Sequence, residues 1–162
     1  MVRYYVDIVN DKEFFVETDS QGEELQRKPL REAVLEDPYS GEWLIGSYDF
    51  YPSVDEVYGN ALYFAITRND VEMVKEILDP MSDDMRLEYF NDEKFCTHKS
   101  YSKYTEAISS TRSWSFVDVL ASYKAENELY WELDNVAMET AYQYYRAAER
   151  NLAEVTDGTE RH

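Results

Sequence analysis

The first eighteen residues fall into two runs dominated by apolar and aromatic positions, divided by a polar triplet. Val2 to Val9 (VRYYVDIV) and Glu13 to Thr18 (EFFVET) are rich in β-branched and aromatic residues. The polar Asn10-Asp11-Lys12 between them suits the positive φ of a tight turn, so the pattern predicts a β-hairpin. Asp19-Ser20-Gln21-Gly22 closes the second strand, and a helix is predicted over roughly Glu23 to Glu36, with Pro29 as a kink or restart. Glu42 to Tyr51 (EWLIGSYDFY), between Pro38-Tyr39-Ser40-Gly41 and Pro52, reads as a further strand that could complete a three-stranded sheet with the hairpin.

From Val54 onward the apolar period becomes helical, and Pro and Gly nearly vanish after Pro80. Ala61, Leu62, Ala65 and Ile66 fall on one face and Val71, Val74, Ile77 and Leu78 on another. Arg68-Asn69-Asp70 breaks the two runs, which predicts two short antiparallel helices. Met85 to Phe90 reads as another helical turn, and Asn91 to Lys103 as a polar loop. Tyr104 to Lys124 repeats the helix-break-helix pattern, and Glu126 to about Glu154 reads as one long helix or two. Trp131, Leu133, Val136, Ala141, Tyr145 and Ala148 are its inward positions, and Thr156 to His162 is expected to fray. The expected fold is α+β in one domain over 1–162. A β-rich part, 1–53, holds a hairpin or small antiparallel sheet; a helical part, 54–155, holds helical pairs and a long C-terminal helix.

The run Gly59 to Leu78 (GNALYFAITRNDVEMVKEIL) resembles one ankyrin repeat, whose pattern is T-P-L-H-x-A-A-x-x-G-H-x-E-[VI]-V-K-x-L-L. Leu62, Ala65, Glu72, Val74, Lys75, Ile77 and Leu78 fit it without a gap. Asn60, Ala61, Tyr63 and Asn69 stand where the family has Thr, Pro, His and Gly. Asn is a natural substitute for that Gly, because the turn there wants a left-handed residue. A second, weaker unit over 102–120 aligns Ala107-Ile108 and Val119-Leu120 with Ala65-Ile66 and Ile77-Leu78, and Tyr104 with Leu62. Its offset of 42 residues (107 minus 65) exceeds the ~33 of a regular array, which makes Met81 to Ser102 an inserted loop. A fainter echo lies at Lys28 to Val34. The resemblance implies ankyrin-like helix packing and a protein-binding role, and it supplies no catalytic residue.

Composition narrows the function. Among 162 residues, 34 Asp and Glu against 16 Lys and Arg leave a formal net charge of −18, far beyond the roughly 2–8 units that solubility needs. Such self-repulsion opposes compaction, so a benefit elsewhere is implied. Direct nucleic-acid binding is disfavoured, because phosphates are held by clustered cations and no such cluster is visible. A basic nucleic-acid-binding protein or complex is the expected partner. Cys96 excludes an internal disulfide, and no apolar stretch approaches the ~20 residues of a membrane span, so cytoplasm is the expected compartment, the host's if the chain is phage-encoded.

Catalytic chemistry finds little support. His98 and His162 are the two histidines, and Cys96-Thr97-His98 lacks the further ligands of a metal or thiol site. Carboxylate pairs are abundant, but acid/base work needs one desolvated carboxyl beside another that is not. No EF-hand spacing, phosphate-binding glycine loop or nucleophile elbow occurs. No cofactor and no catalytic residue is expected, and the chain reads as a non-enzymatic binding protein.

The charge is unevenly placed. Between Arg31 and Arg68 stand seven acids and no base: Glu32, Glu36, Asp37, Glu42, Asp49, Asp55 and Glu56. A segment without local ion pairs projects its field toward solvent and can steer a cationic partner. With Tyr51 as an aromatic anchor, beside Tyr48 and Phe50, and with Asp70, Glu72 and Glu76 of the first helix pair, these acids form the expected partner-binding surface. The rival surface is Glu126, Glu128, Glu132, Asp134 and Glu139, and Tyr142, Tyr144 and Tyr145 are further aromatic candidates. In size, charge and aromatic content the chain resembles the acidic nucleic-acid mimics that mobile elements use against restriction or CRISPR machinery. The competing readings are an ankyrin-like adaptor that uses Tyr63 and Tyr104, and an enzyme built on a carboxylate pair.

Overall fold

In the computed structural model, which describes residues 2–105, 107–127 and 135–160, the expected hairpin is formed by β1 (Arg3–Val9) and β2 (Lys12–Thr18). Asn10 and Asp11 take φ of 51° and 63° at its turn, the left-handed region that Asn and Asp tolerate. The predicted helix from Glu23 is replaced at its start by a strand, β3 (Glu24–Pro29), and only α1 (Leu30–Glu36) is helical. The first sheet has the order β1-β2-β3, so β3 and not the run at Glu42–Tyr51 is its third strand. Pairing satisfies the far edge of β2. In addition, the Arg27 guanidinium stands 5.5 Å from the Phe14 ring centroid and bonds Asp7 of β1 at 2.9 Å.

The second sheet has the order β4-β5-β6-β7, antiparallel throughout, from β4 (Trp43–Phe50), β5 (Ser53–Gly59), β6 (Cys96–Ser102) and β7 (Ile108–Trp114). Three of these strands lie in the region 54–155 expected to be helical. The presumed loop after Asn91 is largely β6, and the first helix of the second ankyrin-like unit is instead β7. Its sequence, ISSTRSW, is rich in Ser and Thr, poor helix formers whose conformation is decided by the available partner. Here that partner is β6, with Cys96 opposite Trp114 and His98 opposite Arg112.

The helix pair is present as expected. α2 (Ala61–Thr67) and α3 (Val71–Leu78) begin with Asn60 and Asp70, whose side chains accept the backbone N–H groups of Tyr63 and Met73. Asn69 adopts φ 52° in the turn between them. α4 (Asp83–Asn91) and a 3₁₀ turn, Glu93–Phe95, lead into β6. α5 (Phe116–Asn127) follows β7, and α6 (Val136–Glu160) is the long C-terminal helix. The molecule is thus α+β, with a small N-terminal sheet and a long final helix, as expected.

The core lies where α2, α3, α4 and α6 meet. Leu62, Met73, Val74, Leu78, Phe90 and Phe95 are fully buried, and Phe90 and Phe116 pack with ring centroids 4.7 Å apart. Ala137, Ala141 and Ala148 are fully buried along α6, where small side chains permit close approach of a neighbouring helix. Val136, expected inward, is exposed, whereas Tyr145 packs on Phe90 at 5.5 Å. Trp131 and Leu133 lie outside the described residues. Asn69 Oδ1 accepts the Ala137 N–H at 2.9 Å, and Asn135 donates to the Ile66 carbonyl at 2.8 Å, so the α2/α3 turn holds the start of α6.

A candidate acidic interface and an aromatic cleft

Folding divides the expected partner-binding residues among three places. The first is a ridge formed by α1 and α3. Arg31 joins these helices, its Nε 2.8 Å from Asp70 and its NH2 nitrogen 3.1 Å from Glu76, and Lys28 bonds Glu36 at 2.6 Å. Burial pushes the Asp70 carboxyl upward, but hydrogen bonds from Arg31 and the Met73 N–H outweigh it and hold the group below its ordinary value. Glu32, Asp37 and Glu72 are exposed, and no described cation pairs with them.

The second place is the tip of the β4/β5 hairpin. Asp49 meets Lys103 at 2.5 Å, and Asp55 accepts the Ser100 hydroxyl at 2.6 Å. Tyr51 is 72% exposed and shares a hydroxyl–hydroxyl hydrogen bond with Tyr104, itself 70% exposed. Tyr48 and Phe50 belong to β4, but their side chains fall outside the described residues. The acid-only segment therefore does find counter-charges. They come from Lys28, on Glu36, and Lys103, on Asp49, which local sequence could not nominate because the partners meet only on folding.

The third place holds Glu42 and Glu56, which line a cleft of about 770 Å³ between the first sheet and the β4/β5 end of the second. Its apolar wall includes Tyr4, Phe15 and Trp43. Tyr4 stacks on Phe15 at 5.3 Å, and Trp43 meets Phe15 edge-on at 5.2 Å. Glu56 accepts the Tyr58 hydroxyl, and burial followed by this bond raises the Tyr58 phenol above its ordinary value. Sequence reading missed this cleft. Alternation in β1 places Tyr4 and Val6 on one face, and the register sets Phe15 opposite Val6, but nothing local reveals that Trp43 closes on them.

Of the other candidates, Glu139 is exposed on α6, while Glu128, Glu132 and Asp134 and the side chain of Glu126 lie outside the described residues. Tyr144 donates to Asp79 and lies under Arg86, and Tyr145 donates to Glu149 at 3.0 Å, so both secure α6. Tyr142 packs partly buried against the core, and Tyr63 packs edge-on against Phe95 at 5.2 Å. Cys96 is buried in β6, and burial pushes its thiol upward despite a Tyr63 hydrogen bond. Among the described residues, no three or more His, Cys, Asp or Glu side chains are grouped to hold a metal, and no helix is long and apolar enough to cross a membrane.

No protein-family model, curated protein or solved structure matches the chain.

Proposed function

We propose that this chain is a non-enzymatic acidic binding protein that occupies the cationic, nucleic-acid-binding surface of another protein, an inhibitor of the anti-restriction or anti-CRISPR type. The observation that carries the reading is the α1/α3 ridge, where Glu32, Asp37 and Glu72 are exposed and no described cation pairs with them, on a chain of net charge −18. Carboxylates displayed on two helices in this way can stand in for a phosphate backbone in a Lys/Arg groove. Arg31 supports the arrangement by fixing α1 against α3 through Asp70 and Glu76.

The test is affinity capture from the native host at about 50 mM and about 200 mM salt, followed by challenge with duplex DNA or RNA. A captured nucleic-acid-binding protein should be lost at the higher salt and displaced by the duplex. A partner held equally at both salt levels and indifferent to the duplex would sink the reading. In that case the exposed pair Tyr51 and Tyr104 favours the second reading, a protein adaptor whose affinity resides in a few aromatic anchors. Substitution of Tyr104 should then abolish capture, while neutralising the ridge should leave it intact.

A further inference from the structure

The cleft between the sheets combines two features that a single chemical class of ligand would satisfy. The first is unpaired backbone. Among the described residues β1 pairs with β2 alone and β4 with β5 alone, and both of these edge strands line the cleft. An edge strand presents N–H and C=O groups that an added strand can use. The second is an aromatic wall rimmed by negative charge. Tyr4, Phe15 and Trp43 form the wall, and Glu17, Glu42 and Glu56 stand around it against one lining cation, Arg3. Lys99, opposite Glu56 in register, directs its ammonium to the Tyr58 ring at 4.8 Å.

We propose that this cleft binds an extended basic peptide, which adds as a strand along β1 and places an arginine or lysine side chain against Tyr4, Phe15 and Trp43. The peptide backbone pairs with the edge. The cation lies on the aromatic faces, with the three glutamates compensating its charge. A volume of about 770 Å³ lies within the range of preformed ligand pockets. Phosphate-bearing ligands are repelled by the rim, and a neutral apolar molecule would leave the glutamates and both strand edges unused. The proposal concerns a different surface from the α1/α3 ridge and stands whether or not the ridge engages a cationic groove.

The test follows the Trp43 indole N–H by NMR in the full-length protein while a capped hexapeptide of alternating arginine and valine is added. Two controls keep the length: one replaces arginine by citrulline, and the other keeps every charge but carries N-methyl groups on alternate amides. The expected result is a saturable shift of the Trp43 indole, with each control binding at least about tenfold more weakly. The Glu42→Gln/Glu56→Gln variant and the Tyr4→Ala variant, the latter at an exposed position, should show a similar loss while keeping a native circular dichroism spectrum. The Glu32→Gln/Glu72→Gln variant should bind the peptide as the parent does, which separates this site from the ridge. An unmoved indole would overturn the proposal. So would equal binding of the N-methylated peptide, which marks plain charge attraction, or a sedimentation result showing the cleft covered by a second copy of the chain.

Discussion

Arg31 donates its Nε–H to Asp70 at 2.8 Å, and the same Asp70 accepts the Met73 N–H at 3.0 Å, so one carboxylate both caps α3 and ties it to α1. The two roles are separable by substitution. Asp70→Asn retains a capping oxygen and should cost less than about 1 kcal/mol, because the ion pair is partly exposed. Asp70→Ala loses the cap as well and should cost about 1–2 kcal/mol more. Urea unfolding of both variants decides the matter. Equal losses would assign the effect to the ion pair and not to the cap.

Arg68 binds three elements together. Its Nε reaches Glu13 of β2 at 2.8 Å, its NH2 nitrogen reaches the Ile45 carbonyl of β4 at 3.2 Å, and its guanidinium lies 4.3 Å from the Phe64 ring centroid. A double-mutant cycle of Arg68→Met with Glu13→Gln should give a coupling of about 1–3 kcal/mol, since the pair is largely shielded from water. Strict additivity in thermal or urea unfolding would show that the contact does not hold the first sheet to the helix pair.

Gly41 is buried, and a methyl group there would lie 2.3 Å from the Lys94 carbonyl oxygen and 2.6 Å from the Lys94 Cβ. The obstacle is backbone and cannot rotate away. Gly41→Ala should therefore destabilise by about 1–3 kcal/mol. Gly22→Ala offers a control, because it meets no neighbour and carries only the strain of φ +84°. Chemical unfolding should rank Gly41→Ala as the worse of the two, and the opposite order would contradict the close approach of Gly41 to the Lys94 backbone.

The His98 ring packs against Trp114 at 4.7 Å, and burial lowers its pKa while Asp55 opposes that shift. A folded value below the unfolded one means that the fold favours the neutral ring. The associated stability is fully present above the ordinary value of 6.5 and is lost as pH falls through the lower folded value. Proton NMR titration should place the His98 midpoint below 6.5, and Asp55→Asn should lower it further. A midpoint above 6.5 would mean that Asp55, not burial, governs the ring.

Several elements were legible in the chain because their signals are local. Asn10 and Asp11 tolerate positive φ, so the first hairpin follows from its own turn. Asn60, Asp70 and Asn69 cap and join α2 and α3 within a few residues, and the buried Ala141 and Ala148 of α6 stand two helical turns apart. Local physics decides such features, because the capping oxygen and the helical face are set by residues one turn away. By contrast, β3 and β7 exist because β2 and β6 have edges to be paired, and a strand's partner lies elsewhere in the chain. The acidic surface was altered in the same way. Composition announced its sign and size, whereas Lys28, Arg31 and Lys103 decided which carboxylates keep an unpaired charge, since Coulomb attraction at contact distance depends on folded position and not on sequence spacing. The cleft of Tyr4, Phe15 and Trp43 belongs wholly to tertiary structure, because its walls come from two sheets and no single strand encodes the space between them.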